Sequence, residues 1–205
     1  MLAVHAALAE MPDVPSTPER DAAAVWEGLA RESGPFLGEV SRRLAAQIEA
    51  FEPEAAAPAG QALRAGGKHL RPLLVAFAGR AVGAAGPAHV EAAVIVELVH
   101  LATLVHDDII DDAQVRRRQP TVAATHGSQV AVLAGDCLFA HALELAARFP
   151  TPEVCRLVAA ATKRVCTGEI LQTLRKEGFG PAQDGYFRVI EMKTAELFAV
   201  ACELG

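Results

Sequence analysis

Alanine supplies 42 of the 205 residues, and no segment alternates apolar and polar residues with the period of two that a strand requires. A chain so rich in the strongest helix former, with only 5% aromatic residues, is constrained to closely packed helices. Hydrophobic residues make up 52% and charged residues 21%, which is the balance of a folded domain rather than a disordered tract. This length suits one domain with a sizeable core. The net charge of −6 argues against a general nucleic-acid binder, so any basic cluster serves one local anion.

Helical periodicity and punctuation predict helices near 19–32, 36–51, 53–65, 70–84, 88–111, 128–148, 152–177 and 182–204. Thr17-Pro18-Glu19 and Thr151-Pro152-Glu153 read as helix starts, with a cap, a proline at the first turn and an acid at the positive end. Gly34-Pro35, Gly66-Gly67, Gly86-Pro87 and Gly180-Pro181 read as breaks. Residues 1–18, with three prolines, read as a flexible arm, and 19–205 as one helical domain. Asp112 to Gly127 is long and polar without helical pattern, as functional loops are. Cys137, Cys155, Cys166 and Cys202 form no CxxC pair and read as reduced, buried thiols of a cytoplasmic protein. The apolar start has no basic residue before it, unlike a signal peptide. The most apolar stretch, 90–110, is interrupted by Glu91, Glu97, His100 and His106, so no integral membrane segment is expected.

The chemistry concentrates where that apolar stretch ends, in His106-Asp107-Asp108-Ile109-Ile110-Asp111-Asp112. Asp107 and Asp111 share one helix face, as do Asp108 and Asp112, and like charges at that spacing repel. They also stand at the C-terminal end of a helix, where the macrodipole disfavours anions. Two local rules broken together mark a functional site. A hard cation with oxygen ligands removes the penalty, and Mg²⁺ is commonly held by one or two carboxylates plus substrate phosphates. His100, two turns earlier, lines up with Asp107, and Thr103 lies between them. Cations gather nearby in sequence: Lys68 and Arg71 within Gly66-Gly67-Lys68-His69-Leu70-Arg71-Pro72, then Arg116-Arg117-Arg118, and later Lys193-Thr194. Arginine suits bidentate phosphate contacts and lysine acts as a point charge. The spacing of the glycine-lysine turn is not that of a P-loop. Acids beside arginines read as metal plus diphosphate.

These pieces, in this order, resemble the trans-isoprenyl diphosphate synthases, or polyprenyl synthetases. The matching stretches are GGKHLRP at 66–72, His100, DDIID at 107–111, RR at 116–117 with QPT at 119–121, AVLAGDCL at 131–138, GEILQ at 168–172 and KTAELF at 193–198. The resemblance implies an all-α fold, an antiparallel helical bundle around a central cavity, commonly a homodimer. It implies that Lys68, Arg71, His100 and Arg117 hold the diphosphate of isopentenyl diphosphate. Asp107 and Asp111 would ligate Mg²⁺ that also binds an allylic diphosphate, with Asp108 assisting. Arg116, Lys193, Thr194 and Gln172 would face the allylic substrate. The implied reaction is ionisation of the allylic diphosphate, attack by the double bond of isopentenyl diphosphate and loss of a proton. Ala102 and Thr103, one turn before the aspartates, stand where short-chain members tend to carry aromatic residues. An open tunnel and a medium- or long-chain product are therefore expected, shortened by Ala102→Phe.

Three departures from the family pattern matter. Arg118 replaces a glycine, and Ala123 replaces an asparagine. Residues 113–205 contain no second DDxxD, the motif that supplies metal ligands on the facing wall in the family. The expectation is a domain truncated before that motif, with its C-terminal helices missing, poorly active alone and complemented by a C-terminal portion. Two other readings stay open: a terpene cyclase of synthase-like fold, and a non-catalytic subunit of a heteromeric prenyl synthase. The isopentenyl diphosphate set favours the synthase over the cyclase. A His-Asp phosphohydrolase needs a further set of ligands that the other histidines do not offer.

Overall fold

The computed structural model describes residues 22–65, 67–175 and 183–205. The arm over 1–18, the helix start at Thr17–Glu19, Gly66 and the Gly180-Pro181 break lie outside the described residues. The chain forms two compact units, Met1–Gly34 and Pro35–Gly205. The first holds the opening of a helix, α1 (Ala22–Glu49). The second holds everything that follows.

The described fold is all-α, as the alanine content requires. After α1 come α2 (Pro53–Arg64), α3 (Leu70–Val82) and α4 (Pro87–Ile110). Next are α5 (Val122–His126), α6 (Ser128–Ala147) and α7 (Glu153–Arg175). The chain closes with α8 (Gln183–Ile190), a π-helical turn over Glu191–Ala195, and α9 (Glu196–Glu203). The start of α4 follows the sequence signals: Gly86 caps it and Pro87 occupies the first turn, where a missing N–H costs nothing.

The core is built around α4. Val90, Val94, Ile95, Leu98, Leu101, Ala102 and Val105 are all buried there. It packs against α3 and α6, and α9 packs on α3 and α7. Alanines at 131, 134, 142 and 146 let α6 lie close to α4. In the second unit, Phe36, Val40, Leu44 and Ile48 bury one stripe of α1.

Four sequence expectations are corrected. The break at Gly34-Pro35 is not there: Pro35 lies inside α1. The buried stripe that begins at the next residue outweighs the hydrogen bond a proline removes. Asp112–Gly127 is not a structureless loop. It holds a hairpin, β1 (Val115–Arg116) antiparallel to β2 (Gln119–Pro120), and then α5, capped by the Thr121 hydroxyl on the Ala124 N–H at 3.1 Å. The thiols are free, but Cys137, Cys166 and Cys202 are exposed rather than buried, because they fall on outward helix faces. Finally, α4 and α6 are long and apolar enough to cross a membrane by length and composition. Their few charges do not rule that out. In this fold 67% of the most apolar window of α4 is buried, as in a core helix, against 39% for α6.

Candidate diphosphate and metal site

The acidic end of α4 splits its aspartates between two environments. Asp108 is 5% exposed, and its Oδ1 accepts a hydrogen bond from Arg116 Nε at 2.8 Å. Asp107, one residue earlier, faces a cavity. Its carboxyl is held above the ordinary carboxylate range because burial disfavours its charge, and nearby Glu169 and Asp111 push the same way against the pull of Lys193. Asp111 caps the C-terminus of α4 and is exposed.

Lys193 joins this group from the π-helical turn. Its Nζ lies 2.5 Å from Glu169 Oε2 and 3.6 Å from Asp107 Oδ2. Burial works against its charge, but Glu169, Asp107 and Asp111 outweigh burial and hold its pKa above the usual lysine value. Two features bring Lys193 here. A π turn adds a residue to the helix and re-aims the side chains it carries. Gly168 on α7 lets that turn approach: a Cβ there would stand 2.9 Å from Met192 Cβ and 3.0 Å from Lys193 N. Sequence reasoning placed one unbroken helix over 182–204 and missed the π turn, which leaves no compositional mark. It also missed Glu169, whose signal was an acid inside the GEILQ stretch. Glu169 is 8% exposed, and its Oε1 has no hydrogen-bond partner.

A cavity of about 160 Å³ connects the acids to the first basic cluster. Arg71, His100, Thr103, Leu104, Asp107, Val165, Lys193, Thr194 and Leu197 line it. Arg71 lies over the Phe198 ring, 4.7 Å from its centroid, and its buried Nε has no hydrogen-bond partner. The His100 pKa is pushed down to about 4, first by burial and then by the positive charges of Arg71, Arg117 and Arg116, against Glu97. His100 is therefore neutral at pH 7 in a positive field.

Arg117 comes from the hairpin. Arg117 and Arg118 are the two residues between its strands, and both have positive φ, 50° and 67°. That is the backbone of a primed two-residue turn, which normally selects asparagine and glycine. The turn sends Arg116 back onto Asp108 and Arg117 across to the glycine-lysine segment. Arg117 Nη1 donates to Ala65 O at 3.1 Å, and a Cβ on Gly67 would stand 2.5 Å from the same atom. A side chain at position 67 would thus displace the Arg117 guanidinium from its present place.

Of the residues singled out in the sequence, the structure brings Arg71, His100, Asp107, Lys193 and Thr194 onto one cavity, with Arg117 close enough to act on His100. It engages Arg116 with Asp108 instead. Lys68 is exposed and beyond the cavity lining, and Gln172 is half-buried, one turn beyond Glu169 on α7. Ala102 is fully buried in the core, so it does not face the tunnel as expected. Thr103, its neighbour, lines both this cavity and a second one of about 180 Å³ beyond Asp107. Ile110, Phe139, Val165, Cys166 and Ile170 wall that second cavity.

Among the described residues no three His, Cys, Asp or Glu side chains converge on one metal-sized point. The donor set is nevertheless hard oxygen: Asp107 and Asp111, with the unpartnered Glu169 Oε1 nearby. It suits a cation completed by phosphate oxygens rather than an all-protein cage.

The family model for polyprenyl synthetase matches residues 52–205. The chain is 36% identical over 138 residues to the octaprenyl diphosphate synthase of Escherichia coli (strain K12), covering 67% of this chain and 43% of that protein. It is 39% identical over 189 residues to heptaprenyl diphosphate synthase component 2 of Geobacillus stearothermophilus, covering 90% of this chain and 53% of that one. Among solved structures, a polyprenyl synthase from Caulobacter crescentus, complexed with calcium and isoprenyl diphosphate, superposes with a TM-score of 0.81 at 35% identity. That match covers 86% of this chain and 54% of that structure. The chain spans about half the length of the curated relatives it matches.

Proposed function

The chain belongs to the polyprenyl synthetase family, and from that premise we propose that it serves a prenyltransferase joining isopentenyl diphosphate to an allylic diphosphate. One observation carries the reading. A single cavity has a cation and a neutral imidazole at one end, Arg71 and His100, and a carboxylate with a lysine at the other, Asp107 and Lys193. Two diphosphates therefore have separate docking points on either side of Thr103 and Leu104.

In this reading Arg71 and Arg117 hold the diphosphate of isopentenyl diphosphate by charge, and neutral His100 donates one N–H to it. Lys68 closes over it from the exposed turn. Asp107 and Asp111 would hold Mg²⁺, and the calcium in the Caulobacter relative is consistent with a divalent ion in this role. Such an ion would supply positive charge to offset that of the departing diphosphate. Lys193, assisted by Thr194, donates to the same leaving group, and Gln172 and Arg116, which lie outside the cavity lining, act on the allylic substrate from its surroundings. Asp108 assists by keeping Arg116 in place. Leu104, Val165 and Leu197 keep the reacting carbons dry, which strengthens every charge–charge interaction around them. No side-chain nucleophile is needed.

The second cavity takes the growing hydrocarbon. Thr103 leaves its entrance open, and the named relatives make octaprenyl and heptaprenyl products, so we assign a medium- or long-chain product. Val130, Val132 and Leu133 expose an apolar face on α6, which favours a dimer. A subunit role in a heteromeric synthase is the second reading, favoured by the name of the Geobacillus relative, a component of its enzyme.

The test is incubation with isopentenyl diphosphate, a series of allylic diphosphates and Mg²⁺, with and without a family polypeptide carrying the second aspartate-rich motif. Elongation that needs both substrates and the metal is the expected result. Cyclised product from the allylic substrate alone points to the cyclase, and no product in the complemented sample overturns the assignment.

A further inference from the structure

Glu97 is an oddity that the proposed chemistry leaves unused. It is a carboxylate in the middle of the most apolar helix, 2% exposed. Its Oε1 lies 3.1 Å from His69 Nδ1, and its buried Oε2 has no hydrogen-bond partner. A charge in that position is costly unless something depends on it. His69 is unusual in turn. It caps α3 with φ 49° and ψ 45°, a left-handed backbone that a residue with a Cβ adopts only under strain. It is also the hinge between two halves of the basic cluster. Before it stand Lys68 and Gly67, which packs on Arg117; two residues after it, in the first turn of α3, is Arg71. His100 is one turn beyond Glu97 on α4.

We propose that Glu97 is a positioning residue of the anion pocket: by accepting a hydrogen bond from His69 it holds the Gly67–His69 turn in its strained form, and so aligns Lys68, Arg71 and Arg117 on one diphosphate. The proposal rests on the diphosphate reading of that pocket. The Glu97 hydrogen bond also holds the His69 pKa above its ordinary value, against burial and Arg117.

Charge and position predict opposite results. Glu97→Leu removes both the negative charge beside Arg71 and His100 and the acceptor for His69, so electrostatics alone would tighten anion binding. Loss of alignment would weaken it. Calorimetric titration of inorganic pyrophosphate in EDTA, which silences the carboxylate end, reads the difference. Wild-type chain is expected to bind, and Glu97→Leu to bind about tenfold more weakly (about 1.4 kcal/mol), with an unchanged circular dichroism spectrum. A second pair of variants covers a Glu97→Leu chain that does not fold. His69→Gln and His69→Gly both remove the ring, but only glutamine can still donate to Glu97. The glutamine variant should bind about tenfold better than the glycine variant, although glycine is at ease at φ 49°. Equal affinities at position 69, or unweakened binding by folded Glu97→Leu, overturn the proposal and leave the diphosphate reading intact. A folded wild-type chain that binds no pyrophosphate overturns both.

Discussion

The basic and acidic ends of the cavity each contain one residue of the opposite sign, and the two are placed differently. At the basic end, Glu97 stands behind Arg71 and His100, 2% exposed and fastened to His69. At the acidic end, Lys193 stands among Asp107, Asp111 and Glu169, 23% exposed and on the cavity surface. A counter-charge buried in the wall is permanent. A counter-charge on the surface is exchangeable: in the proposed reading, a cation taken up by the carboxylates would free Lys193 to turn to a phosphate. The basic end is thus arranged to be complete before a ligand arrives, while the acidic end is arranged to change partners.

The sharpest way to break this contrast is Asp107→Asn. Turnover in the complemented assay should fall about a thousandfold, since metal stabilisation of the leaving charge is worth several kcal/mol. Stability should move the other way. The Asp107 pKa is raised by folding, so its ionised form is disfavoured in the fold; the stability it contributes is present at low pH and lost as pH rises through the folded pKa. Asparagine removes that loss, and thermal melts at pH 7 should show a more stable variant. Unchanged turnover would remove the metal role from this end.

Asp108 tests the neighbouring position. Asp108→Ala leaves half-buried Arg116 without its partner and should cost about 3 kcal/mol by chemical denaturation. The double variant Asp108→Leu with Arg116→Met should recover much of that. Adjacent aspartates would then differ in kind, one held for exchange and one for structure.

His100 probes the permanent end by pH. Its pKa falls from 6.5 to about 4 on folding, so the unfolded chain takes up a proton in that window and the folded chain does not. Stability should decline as pH drops from about 6.5 to 4, by at most roughly 3 kcal/mol. His100→Gln should flatten that part of the profile. A ligand anion reverses the effect, so pyrophosphate binding at pH 5.5 should be accompanied by proton uptake.

Much of this arrangement is legible in the residues themselves. The stripe on α4 and its phase place His100, Thr103 and Asp107 together, because a helix repeats by its own geometry. The glycine-proline start of α4 is equally plain. The sequence is silent where position depends on a partner element. Ala102 and Thr103 are adjacent and similar in size, and only the packing of α4 turns one to the core and the other to the cavity. The π turn under Lys193, and the approach of Gly168 that accommodates it, arise from contact between α7 and the end of the chain. The hairpin over 115–120 went unread because two-residue strands carry no period, and because Arg117-Arg118 is poor turn chemistry.

Within the basic end, the two arginines of the turn differ least in sequence and most in contact. Arg117 and Arg118 share a left-handed turn, but only Arg117 has a tertiary partner, at Ala65 O and against Gly67. Arg118 is exposed with φ 67°, a conformation disfavoured by its Cβ. Arg118→Gly should relieve that strain and raise stability by up to about 1 kcal/mol, less the entropy glycine adds to the unfolded chain. Pyrophosphate affinity should stay within a factor of two, because the guanidinium that reaches the pocket belongs to Arg117. A large loss of affinity would mean that Arg118 itself contacts the ligand, and the basic end would then be completed from the loop only when the anion arrives.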